Sequence, residues 1–498
     1  MRSLMSLTLV VVIAIAFTDC AKKADDGKIP ITTNSDEARK AFLEGRGLAD
    51  KALFTNAILH FDNAIALDSG FALAYLERAN ASLTAKDFLF YLMKSVALKD
   101  KCTEGERLLI LSNEAANNAN TVREKECLDK LIALYPNDER AHLNLGYYYQ
   151  SQQEDTLAIE QLKKAAEIAP AYAPAYNVLG YAYRQIENYP KAENAFKQYI
   201  ELIPNGPNPY DSYAELLLKM GRFDESIANY QKALKADSTF FGSGIGIAAN
   251  YMYKGQYENG SAELKKFSDN ARSDGERRQM LFAQMILYVD AGKMDMALLE
   301  LEKRYMLDEK TNDVAAMAAD CGIKGAILLE MGKYNDALTT YDKSEQLITS
   351  SDLSQTVKEN IQLTLRIQRA VVALEKKDLK KAKVETEDYL KIAETNKNLN
   401  QIQMGHQVAG RIAFAEKKYD TALVELLQSN RQNPSNLYQL ALVYQAMGDK
   451  AKAKEFCKKA AKFNELPSLN YALIRMKAEK LLSTLQNYMS ADYFNGRQ

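Results

Sequence analysis

Residues 175–204, AYNVLGYAYRQIENYPKAENAFKQYIELIP, recur in outline 34 positions upstream and again 34 positions downstream. His142, Leu145, Gly146, Tyr149, Ala158, Leu162 and Pro170 stand under Tyr176, Leu179, Gly180, Tyr183, Ala192, Phe196 and Pro204. The next period sets Tyr210, Tyr213, Ala214, Leu217, Ser226 and Tyr230 in the same places, and a further one Ile247, Ala248, Tyr251, Gly260 and Leu264. Within each period the apolar residues fall at helical spacing in two blocks, so each block predicts one amphipathic helix. A single pair of short helices cannot bury its own apolar face, so the pairs must stack on one another. At 498 residues the chain exceeds one compact core, and a stack whose core grows along an axis accommodates that length.

Two small residues twelve positions apart mark each unit, as in Gly146 with Ala158 and Gly180 with Ala192. Where antiparallel helices cross most closely, small side chains fit without forcing the backbones apart. The first small residue is traced through Gly45, Ala79, Ser112, Gly146, Gly180, Ala214 and Ala248, then through Met285, Gly325, Ala370, Gly410 and Ala441. Tyr91 and Glu124 take the second place in the second and third units, so residues 72–136 read as degenerate repeats. Gly221, Gly255, Gly292, Gly332 and Gly448 each follow the small residue by seven, where a helix must give way to a tight turn. The run FGSGIG, 241–246, falls on a first helix with no strand before it and no Lys-Ser or Lys-Thr after it, so it is not read as a phosphate loop. Its glycines are expected to let another backbone approach.

This pattern resembles the tetratricopeptide repeat over nearly all of residues 35–465, most strongly over 137–267. The resemblance implies an all-α fold, a right-handed superhelical solenoid of about twelve antiparallel helix pairs. On this reading the chain divides into a signal peptide (1–19), a tether (20–34), N-terminal units (35–136), regular units (137–267), long-period units (268–433), a last unit (434–465) and a capping helix with tail (466–498). In the family the first helices line the concave surface, and recognition falls to residues three before, one after, and four or five after the small one. Carried onto matching positions, this implies a peptide-binding groove of Tyr147, Gln150, Asn177, Tyr181, Arg184, Asp211, Glu215, Lys219 and Tyr253. Gly146, Ala158, Gly180, Ala192, Ala214 and Ala248 are then structural positions of the repeat. Leu143, Tyr147 and Asp211 break the Lys and Asn pattern of members that clamp a carboxyl terminus. The implied ligand is an extended or helical polypeptide held by tyrosine rings and side-chain amides.

MRSLMSLTLVVVIAIAF has one basic residue and an apolar run too short to span a bilayer comfortably, which predicts an export signal. Cys20 follows, in a setting that resembles bacterial lipoprotein signals although Asp19 replaces the usual small residue; lipid attachment at Cys20 would place the protein in the cell envelope, as an outer-membrane lipoprotein facing periplasm or cell surface. Cys102, Cys127, Cys321 and Cys457 have no CxxC spacing and are expected to be free, mostly buried thiols. His60, His142 and His406 are scattered without a second ligand at helical spacing, so no metal, cofactor or catalytic set is expected. With 64 Lys and Arg against 65 Asp and Glu, no net field gathers nucleic acid. The expectation is a non-catalytic scaffold binding a polypeptide, with the membrane reached through lipid alone. A surface glycan-binding lipoprotein with the same helical repeats is the alternative, against which the absence of Trp speaks.

Overall fold

The computed structural model describes residues 27–495, with side chains to residue 486. It is built from α-helices, with no strand among the described residues. Units one to three are α1 (Asp36–Ala49) with α2 (Phe54–Leu67), α3 (Ala72–Asn80) with α4 (Ala85–Ala97), and α5 (Glu104–Asn117) with α6 (Thr121–Leu134). Units four to seven are α7 (Glu139–Ser151) with α8 (Asp155–Ile168), α9 (Ala173–Gln185) with α10 (Tyr189–Leu202), α11 (Pro207–Lys219) with α12 (Phe223–Ala236), and α13 (Phe241–Tyr253) with α14 (Tyr257–Asp269). Units eight to ten have longer helices: α15 (Asp274–Asp290) with α16 (Met294–Thr311), α17 (Val314–Glu330) with α18 (Tyr334–Thr349), and α19 (Gln355–Glu375) with α20 (Leu379–Thr395). Units eleven and twelve are α21 (Leu399–Ala415) with α22 (Tyr419–Leu427) and α23 (Pro434–Ala446) with α24 (Lys450–Ala461), after which comes α25 (Leu469–Asn495).

The small residue of each first helix makes room for a large one on its partner. A Cβ added to Gly180 would stand 2.5 Å from the Phe196 ring; at Gly146 it would meet Leu162 at 2.7 Å, at Gly325 Tyr341 at 2.1 Å, and at Gly410 Leu426 at 2.6 Å. In each case the obstructing residue lies sixteen positions on, one helical turn past the second small residue. The tight place is therefore small against large, with Ala158 and Ala192 fully buried alongside. Phe196 is wholly buried, which contributes about 1.5–3 kcal/mol. Unit two reverses the arrangement: Tyr91 takes the twelfth place under the Arg78 guanidinium, and Ser95 takes the sixteenth, buried, its hydroxyl donating to the Ala72 carbonyl at 2.9 Å. The FGSGIG glycines serve the same end. Gly244 faces the Phe267 ring and Gly246 the Tyr230 ring, so aromatic side chains, and not a second backbone, fill the space.

The turn seven residues past the small position has left-handed backbone in every unit but the second. Gly221, Gly255, Gly292, Gly332 and Gly448 have φ between 72° and 83°. Ala52, Ala119, Gln153, Glu187, Lys377 and Lys417 occupy the same place with φ between 56° and 63°. At Glu187 the backbone N–H of Asn188 donates to the Tyr183 carbonyl at 2.9 Å, and that of Glu187 to Arg184 at 3.0 Å, the two bonds that close a helix through a left-handed residue.

The spiral touches itself. Lys86 N–H donates to the Asp313 carboxylate at 3.0 Å, joining units two and nine. Asn360 donates to the Asn118 carbonyl, Asn398 to the Ala119 carbonyl, and the Thr121 hydroxyl to the Lys397 carbonyl, joining unit three to units ten and eleven. Gln153 and Gln403 exchange amide hydrogen bonds. Both ends also differ from a free tether and a simple cap. From Lys28 onward the N-terminal segment is docked: Ile29 N–H donates to Asp138, Thr32 to Glu106, and Thr33 to Asp68. Helix α25 covers α24 and reaches α15 in the middle of the array, where Arg475 meets Asp290. Cys127, Cys321 and Cys457 are buried, Cys102 is partly so, and all four are free; Cys20 lies outside the described residues.

Replacing Glu187 or Gln153 by Gly should relieve left-handed strain and stabilise by about 1 kcal/mol each, read as a higher urea midpoint. Gly180→Val should lower that midpoint by about 1–3 kcal/mol of stability as it drives into Phe196, and Phe196→Leu in the same chain should recover part of the loss.

Candidate functional site

Eight of the nine side chains nominated on the first helices fall into three groups, and Gln150 stands apart. Tyr147 on α7 and Asn177 on α9 line a cavity of ≈ 260 Å³ together with Arg46, Asp50, Arg140 and Tyr172. Arg140 lays its guanidinium on Asp50, with Nη1 2.9 Å from Oδ1, and packs 5.0 Å from the centre of the Tyr172 ring. Arg46 pairs with Glu77 at 3.1 Å. Two buried polar atoms at this cavity have no hydrogen-bond partner, Arg46 Nε and Asn177 Oδ1. Tyr147 is 50% exposed toward the opening, yet its inner-wall position still pushes the phenol up to about 12 through desolvation. Gln150 lies outside the cavity and is partly exposed.

Tyr181 and Arg184 on α9 and Glu215 on α11 form the second group. The Tyr181 hydroxyl donates to Glu215 at 3.1 Å, Arg184 reaches the other oxygen at 3.2 Å, and the guanidinium sits 4.7 Å from the Tyr181 ring centre. Tyr181 and Arg184 line a cleft of ≈ 910 Å³ whose opposite wall is unit twelve, with Phe456, Lys458, Lys459 and Lys462. Asp211 is buried below them and accepts the Ser243 hydroxyl at 2.6 Å. Burial, and then the Glu215 charge, push its carboxyl up to about 8.

Lys219 and Tyr253, the third group, are covered by the protein's own chain. Lys219 Nζ donates to the Phe463 carbonyl at 2.6 Å, and the Tyr253 hydroxyl donates to the Glu465 carbonyl. Burial, and then the Arg184 charge, lower the Lys219 ammonium to about 8.

The spacing rule nominated none of Asp50, Arg140, Tyr172 or Phe463. Asp50 and Tyr172 belong to turns, Arg140 opens α7 two residues past its Asp138 cap, and Phe463 comes from the far end of the chain. No periodic signal marks such positions. Among the described residues no group of three or more His, Cys, Asp or Glu could hold a metal ion. His142 bridges Gln161 and the Pro136 carbonyl, and His406 contacts Glu425. No helix among the described residues is long and apolar enough to cross a membrane.

The tetratricopeptide-repeat family matches residues 139–172, 173–205, 208–240 and 434–465. Human Superkiller complex protein 3 is 28% identical over 173 residues, 34% of this chain and 11% of that protein, so the match spans a small part of the relative's length. A tetratricopeptide repeat protein from Parabacteroides merdae is 17% identical and covers 53% of this chain and 98% of its own, with a TM-score of 0.35. A MamA protein is 23% identical and covers 33% and 91%, with a TM-score of 0.28. Tetratricopeptide repeats are thus present in four stretches of an array of helix pairs, and such repeats generally mediate contacts between proteins.

Asp211 binds its proton more tightly folded than unfolded, so its contribution to stability is complete below pH 4 and is lost as pH rises through about 8. Asp211→Asn, which keeps an acceptor for Ser243, should raise the melting temperature at pH 9, leave it nearly unchanged at pH 4, and flatten the profile between them.

Proposed function

We infer that the protein is a non-catalytic scaffold that holds a polypeptide partner against the inner wall of units four to six, exported and tethered to the cell envelope by lipid at Cys20. The observation that carries the binding half is the cavity of ≈ 260 Å³ that Tyr147 and Asn177 line together. Tyr147, half exposed on the same wall, supplies an aromatic surface of the kind that dominates interface energetics. Fixed ion pairs around it, Arg140 with Asp50 and Arg184 with Glu215, keep the wall preorganised.

The anchoring half is supported by the Cys that follows the export signal and by the docked N-terminal segment. Because Lys28 is already held at the start of α7, only residues 20–27 separate a lipidated Cys20 from the folded body, a reach of at most about 30 Å. The docking edge of units one, three and four would then face the membrane, and the inner wall would stay accessible from the side.

Radiolabelled palmitate should enter the wild type and not Cys20→Ser; equal labelling of both rules out the anchor. Envelope crosslinking with mass spectrometry should recover a set of proteins that Tyr147→Ala/Tyr181→Ala depletes. Capture untouched by that double change sinks the groove assignment.

A further inference from the structure

Residues 462–468, between α24 and α25, do not simply end the array; they cross the inner wall of units six and seven. Their contacts are those of a bound peptide. The Lys219 ammonium donates to the Phe463 carbonyl and also sits 3.4 Å from the centre of the Phe463 ring. A cation over an aromatic face is attracted by the ring quadrupole, more strongly as water is excluded. Two residues on, the Glu465 carbonyl accepts the Tyr253 hydroxyl, while the Glu465 carboxylate accepts from Ser468. Asn464 between them has φ of 45° and lies against the Gly221 turn. Two positions at which the family reads its partners, Lys219 and Tyr253, are thus engaged by the chain's own carbonyls and an aromatic ring.

The segment is latched at one end and open at its side. Arg475 on α25 brings Nε to 2.8 Å from one oxygen of Asp290, whose other oxygen accepts the Tyr257 hydroxyl at 2.9 Å; Arg475 and Asp290 are both buried. By contrast, residues 463–468 are only partly buried, and the ≈ 910 Å³ cleft with exposed Lys458, Lys459 and Lys462 runs beside them.

We propose that residues 462–468 are a tethered ligand that closes the groove of units six and seven in cis, and that an incoming partner displaces them with an extended segment presenting an aromatic residue and free backbone carbonyls. This rests on the groove reading above and gives it a ligand chemistry and a resting, self-occupied state.

The probe is a fluorescent peptide of residues 461–471, AKFNELPSLNY, added to the full chain and read by anisotropy. Phe463→Ala weakens the tethered copy without touching the groove and should bind the peptide at least about tenfold more tightly than the wild type. Adding Lys219→Met and Tyr253→Phe should remove the gain. If Phe463→Ala does not fold, Arg475→Met/Asp290→Asn releases the latch instead and should give the same gain. A folded, released variant that binds the peptide no better than wild type overturns the proposal, since a purely structural strap would lose stability and acquire no binding. The crosslinking comparison separates the two readings. Partners that depend on Tyr147 and Tyr181 but do not increase in Phe463→Ala defeat the lid and leave the groove standing. Peptide gain with no such partners supports the lid and defeats the groove.

Discussion

The contact between the small residue of a first helix and the large residue sixteen positions later, repeated in most units, sets the geometry of the array. It brings the two helices close enough that Phe196, Tyr230 and Tyr341 are sealed from water, and each unit then offers its neighbour an apolar face. The contact tolerates several chemical solutions. Gly180 admits a phenylalanine and Gly146 a leucine, while Ala214 sits beneath the Ser226 hydroxyl, which returns a hydrogen bond to the Ala214 carbonyl at 2.7 Å. Unit two exchanges the large and the small member between Tyr91 and Ser95 and still pairs its helices.

With that contact repeated, the array curves until its ends return to its middle. The polar turns that begin and end helices then become the seams between successive windings: free carbonyls at Asn118, Ala119 and Lys397 accept side-chain donors from the facing winding. These groups would otherwise bond to water, so each seam is individually weak. The C-terminal side is held differently, by the buried Arg475 and Asp290 pair, for which loss of one partner would strand a charge. The inner wall is consequently divided. Tyr147 and Asn177 of units four and five border a cavity, whereas Lys219 and Tyr253 of units six and seven are covered by the protein's own backbone.

The helix pairs and their phase were legible in the residues because they depend on local spacing. The small residue, its partner twelve later and the turn seven later all lie within one period, and the turn rule holds even where Glu187 or Lys417 stands in place of glycine. The face on which Tyr147, Asn177, Tyr181 and Arg184 stand follows from the same spacing. Their surroundings do not. Arg140 on Asp50, the burial of Asp211 and the covering of Lys219 depend on elements as far as 244 residues away, and no period relates those positions.

By itself, then, the sequence determined that this chain is a helical array, because helix periodicity and side-chain volume act between residues close along the chain. Only the tertiary structure decided that the N-terminal segment is docked, that the windings touch, and that the C-terminal segment lies over Lys219 and Tyr253. Those outcomes depend on the accumulated curvature of twelve units, a quantity to which every interface adds a little and which no single residue encodes.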